Sequence, residues 1–136
     1  HVHVPRARAA MDSAATGIAI YVAVASLMLR FNTNPTVAVV GELTLRGAVL
    51  PVSGIKDMLL AAHRAGLKTV VIPAANERDL DDVPAEVVRD LDIKLVRNVS
   101  EVLAYALDPT PVPNDPLDDA EPDASMAVAS SDSVGP

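Results

Sequence analysis

The chain has 136 residues, half of them apolar, with 11 Lys and Arg against 18 Asp and Glu, no Cys, no Trp, and three aromatics, Tyr21, Phe31 and Tyr105. That length holds one domain at most, and the lack of cysteine excludes a disulfide framework and a thiolate zinc site, in keeping with a reducing intracellular compartment. Residues 108–136 hold seven acids and no base, which leaves residues 1–107 neutral; without a cationic surplus or stacking aromatics, nucleic acid is excluded as a partner.

His1-Val2-His3-Val4-Pro5 alternates with period two and predicts a short strand ended by proline. The chain opens inside this segment with no initiator Met or signal peptide, so an upstream part is expected. Asp12-Ser13 offers side-chain oxygens to the first amides of a helix from about Ala14 to about Phe31. The apolar run Gly17 to Leu29 is shorter than the roughly 20 residues that cross a bilayer, so it predicts a helix packed on more than one side and no membrane association.

Asn32-Thr33-Asn34-Pro35 breaks the helix, and Val37-Ala38-Val39-Val40 predicts a covered strand. Leu43-Thr44-Leu45 and Val49-Leu50-Pro51-Val52 flank the turn Arg46-Gly47 as a bent pair of short strands. A helix from Ile55 to about Ala65 turns Ile55, Leu59, Leu60 and Ala62 inward and ends at Gly66. Lys68 to Pro73 reads as a covered strand, residues 76–82 as a charged surface turn or short helix, and Pro84 as a helix start. Ile93 to Val96 is a third strand, and Ser100 caps a last helix ending near Leu107. This rhythm predicts an α/β core with parallel crossovers over residues 1–107. The segment 108–136, with seven acids and six prolines, reads as a disordered, solubilising tail.

Neither phosphate-loop pattern is present, so a nucleotide-driven motor must lie elsewhere. His1 and His3 share a strand face and, with His63 or Asp12, have the residue types of a metal site; solvent-facing strand histidines are the commoner arrangement, and no metal or other cofactor is expected in this segment. Glu42, at the end of a covered strand, is placed where parallel sheets display functional groups, or where a backbone amide or Arg46 satisfies it. Glu77, Asp79, Asp81 and Asp82 lack the glycine and alternation of a calcium loop and read as a solvated face.

The run Gly41-Glu42-Leu43-Thr44-Leu45-Arg46-Gly47, followed by Val49-Leu50-Pro51-Val52-Ser53-Gly54-Ile55-Lys56 and by Leu59 to Gly66, strongly resembles the proteolytic domain of the Lon family of ATP-dependent proteases. The likeness continues through Lys68 to Pro73, Asn76 to Leu80, Leu91 to Ile93 and Glu101 to Leu103, and reaches back to His1-Val2-His3-Val4-Pro5. It implies the second half of a ribosomal protein S5 domain 2-like β-α-β fold, with the opening strands upstream. It also implies a hexameric ring acting on unfolded protein or peptide substrates, and ATP and Mg2+ handled by a separate ATPase module. Relatives work in bacterial cytosol, mitochondria and peroxisomes; here the mitochondrial matrix or a bacterial-type cytosol is implied.

In that family a Ser near the start of the first helix attacks the peptide carbonyl and a neutral Lys on the next helix takes its proton. The family pattern Asp-Gly-Pro-Ser-Ala-Gly meets Asp12-Ser13-Ala14-Ala15-Thr16-Gly17, so Ala15 stands at the serine position. Gly-(Ile/Leu)-Lys-Glu-Lys meets Gly54-Ile55-Lys56-Asp57-Met58, so Met58 stands at the lysine position, and Val40 replaces a supporting threonine. His1, His3, Asp12 and Glu42 match retained family positions. The resemblance therefore implies a proteolytically inactive copy that serves as a structural, assembly or substrate-holding module. The rival is an active ATP-dependent serine endopeptidase that uses Ser13 with Lys56, which keep the 43-residue spacing of 15 and 58, or a partner subunit's residues. Against the shifted pair, a residue two places earlier on a helix is turned by about 200°, and an exposed lysine stays protonated at neutral pH.

Overall fold

The computed structural model describes residues 16–111, Pro111 by its backbone alone. The expected strand at residues 1–5, the cap Asp12-Ser13 and the tail beyond Pro111 lie outside the described residues. The centre is a parallel sheet of three strands in the order β2 (Val37–Val39), β5 (Thr69–Pro73), β6 (Asp92–Val96), with Val37 opposite Thr69 and Thr69 opposite Asp92. Strand β5 is central because its side chains serve both faces. Val70 and Ile72 point to one side and Val71 to the other, all at most 1 % exposed.

On the first side Val70 and Ile72 pack with Ile55, Leu59 and Ala62 of α2 (Ile55–Arg64), Val87 of α3 (Ala85–Asp90), Val83 and Leu91. On the second, Val71 and Val96 meet Ile18 and Val22 of α1 (Gly17–Leu29) and Val102 and Ala106 of α4 (Val99–Ala106). Helices thus cover the sheet on both faces, the mixed α/β arrangement expected. The hairpin β3 (Glu42–Leu43) and β4 (Val49–Leu50) pairs antiparallel, and a 3-10 helix, Ala74–Asp82, leads on from β5.

Several boundaries differ from expectation. Helix α1 stops at Leu29, because Arg30 takes a left-handed φ of 58° and returns its N–H to the Ser26 carbonyl. Phe31 therefore belongs not to the helix but to β1 (Phe31–Thr33), which pairs antiparallel with β7 (Leu107–Pro111). That strand runs into the segment assigned to the tail. Strand β2 is half-buried rather than covered, since β5 flanks it on one edge only among the described residues. Asn98, not Ser100, caps α4: its Oδ1 accepts from the Glu101 amide at 3.1 Å, and Glu101 Oε2 accepts from the Arg97 amide at 2.8 Å. Helix α1 buries only Ile18, Val22 and Ala25; Ile20, Tyr21, Val24, Leu27 and Met28 line its opposite face and stay open among the described residues.

Candidate functional site

The C-terminal ends of the parallel strands, where open α/β sheets place their sites, converge on Gly41. It has no room for a side chain: a Cβ there would lie 3.0 Å from Val49 Cγ1, 3.3 Å from Pro73 Cγ and 3.6 Å from Ile18 Cδ1. With φ at 150° the backbone also favours glycine. One residue thereby brings together the end of β2, the hairpin, the end of β5 and the start of α1. The entry of α2 lies at the same end, because Val52 is bonded to Asn76, which follows β5 by one turn.

Val40 continues the β2–β5 ladder, donating its N–H to the Val71 carbonyl at 2.9 Å. Its side chain packs half-buried against the group that holds Ile55 and Leu59 of α2. An apolar side chain there leaves no hydroxyl to satisfy. Glu42 is exposed at the head of β3 and, among the described residues, pairs with neither Arg46 nor a backbone amide.

Met58 stands on the first turn of α2, half-buried, its N–H bonded to the Gly54 carbonyl at 3.1 Å. Gly54 opens that helix with a left-handed φ of 79°. Lys56 is exposed and has no ion-pair partner among the described residues. The two side chains face apart, as the helical period requires. Ala15, Ser13, Asp12, His1 and His3 lie outside the described residues.

Two polar groups fall elsewhere. His63 Nε2 donates to Asp90 Oδ2 at 3.1 Å, tying α2 to α3 on the solvent side. That hydrogen bond, with the nearby Arg89 charge, holds the Asp90 carboxyl below its ordinary value. Among the described residues no three His, Asp or Glu side chains gather as a metal site, and His63 is engaged with Asp90 instead. No helix among them is long and apolar enough to cross a membrane.

The polar residue that sequence reasoning missed is Asn76, 4 % exposed and the single buried polar side chain among the described residues. The run Asn76 to Asp82 reads as a charged surface segment, in which an uncharged Asn gives no periodicity that marks it as buried. Its neighbours Glu77, Asp79, Asp81 and Asp82 are exposed as expected.

A family model described as the Lon protease (S16) C-terminal proteolytic domain matches residues 1–109. Similar proteins include the Lon protease of Erwinia amylovora, 49 % identical over 111 residues that make up 82 % of this chain and 14 % of the relative. The Lon protease of Escherichia coli K12 is 48 % identical over the same shares of the two chains. That of Methanosarcina barkeri is 42 % identical over 131 residues, 96 % of this chain and 16 % of the relative. The chain thus spans about one seventh of the length of the relatives it matches.

Proposed function

Because this chain belongs to the Lon protease C-terminal proteolytic domain family, we propose that it is the second half of such a domain, in a copy that has lost its Ser-Lys dyad. In this reading it is an assembly or substrate-holding part of an ATP-dependent, intracellular protein-degradation ring. The observation that carries the reading is Met58: a half-buried thioether at the base position, with Lys56, two residues before it, exposed to solvent. A thioether carries no nitrogen to take a proton, and the methyl of Ala15 cannot attack a carbonyl. Loss of one member of such a unit costs on the order of a millionfold in turnover.

Exchanging the cluster as a whole agrees with a stable fold, since Ala, Met and Val side chains carry no hydroxyl or ammonium that could be left unpaired. The opening strands of the ribosomal protein S5 domain 2-like fold would come from upstream, as would the ATPase module that uses ATP and Mg2+. Unfolded proteins or peptides are the ligands this reading assigns, and like subunits are the ring partners.

The test uses the full-length gene product containing this segment, assayed for ATP-stimulated casein cleavage and for labelling by a serine-directed fluorophosphonate. Neither is expected. Cleavage or labelling that Ser13→Ala abolishes establishes the shifted pair and overturns the inactive reading.

A further inference from the structure

We propose that Asn76 is the positioning residue of this site: by pairing with both backbone groups of Val52, it fixes where α2 enters and hence where side chain 58 stands. The proposal rests on position 58 being the site. Val52 lies beyond β4, so among the described residues neither its N–H nor its carbonyl has a strand partner. Both are met by one side chain, the Val52 N–H donating to Asn76 Oδ1 at 3.0 Å and Asn76 Nδ2 donating to the Val52 carbonyl at 2.8 Å. A carboxamide offers a donor and an acceptor side by side, which is the pairing a neighbouring strand would make.

The remaining Nδ2 hydrogen goes to Asp79 Oδ2, which fixes which way round the amide sits. Being 4 % exposed, Asn76 faces little competition from water. It also stands one turn beyond β5, the best-covered strand of the sheet. Only Ser53 and Gly54 separate Val52 from α2, and the Gly54 carbonyl receives the Met58 N–H. The apolar contacts of Ile55 and Leu59 press α2 to the sheet but are not directional and permit sliding. The paired hydrogen bonds are directional and set its register.

The experiment is methyl NMR of the chain labelled with 13C-methyl methionine, the Met58 signal assigned by Met58→Leu, together with hydrogen exchange at the Val52 amide. In Asn76→Leu, near in size but without donor or acceptor, the Met58 methyl signal should move and broaden, and the Val52 amide should exchange about tenfold faster or more. Val83→Ala, which opens the same apolar group, serves as the control for general loosening. It should lower the melting temperature and leave the Met58 signal in place. A Met58 signal unmoved in Asn76→Leu, or moved equally by Val83→Ala, overturns the proposal.

If Asn76→Leu does not fold, Asp79→Ala at an exposed position releases the orientation of the amide and should shift the same signals by less. Unmoved signals there overturn the proposal too. None of these readouts depends on catalysis, so casein cleavage would refute the inactive reading while leaving the positioning role to stand or fall by NMR.

Discussion

Gly41 shows how much of the site depends on a missing side chain. A methyl there would push against Val49 and Pro73 in a backbone conformation that favours glycine. Gly41→Ala should therefore lower stability by about 1–3 kcal/mol in urea unfolding; an unchanged midpoint would mean that the four elements do not truly meet there. On the proposed reading, Ala15→Ser with Met58→Lys should produce casein cleavage in the full-length gene product, and Val40→Thr should raise it further. Cleavage absent from a folded triple variant would place the defect elsewhere. The positions matched to the family's dyad were assigned from the sequence because each sits in a run whose flanking residues fix its register. Asn76 was not, since its role comes from facing Val52, 24 residues away, across the end of the sheet.

Elements were read best where an apolar run or a helical period is buried. Within the expected strand Lys68 to Pro73, residues 70–73 are buried while Lys68 is exposed, and of the expected inward set Ile55, Leu59, Leu60 and Ala62 all are buried but Leu60, which is half-buried. Ends were read worse. The stop at Arg30 is a left-handed non-glycine residue, which composition does not announce, and the α4 cap fell to Asn98 although Ser100 is also a capping residue type. Asn98→Ala should cost about 1 kcal/mol, with Ser100→Ala near neutral, as read by urea midpoints.

The α2–α3 tie gives a pH dependence. The Asp90 carboxyl is lowered from its ordinary 3.8 by the His63 hydrogen bond, so its contribution is whole above the ordinary carboxylate range and is lost as pH falls through the lower folded value. The melting deficit of Asp90→Asn should thus be present at neutral pH and vanish in strong acid. A deficit that persists there would show packing rather than charge.

At the scale of the whole molecule, the alternation of strands and helices gave the parallel core correctly, whereas the β1–β7 pair was not foreseeable. It joins Phe31 to Pro111, far apart in sequence, with no turn motif between them. Because β7 pairs with β1, truncation before Leu107 should lower the melting temperature. The broad helix α1 has a different consequence. Leu27 and Met28 are 75 % and 79 % exposed, in line with Ile20, Tyr21 and Val24. Residues 16–111 produced alone should carry this greasy seam into solution, brightening anilinonaphthalene sulfonate and scattering light more strongly as concentration rises. Leu27→Lys with Met28→Gln should quench both signals without cost to folding, making colloidal behaviour rather than stability the practical limit on handling the fragment.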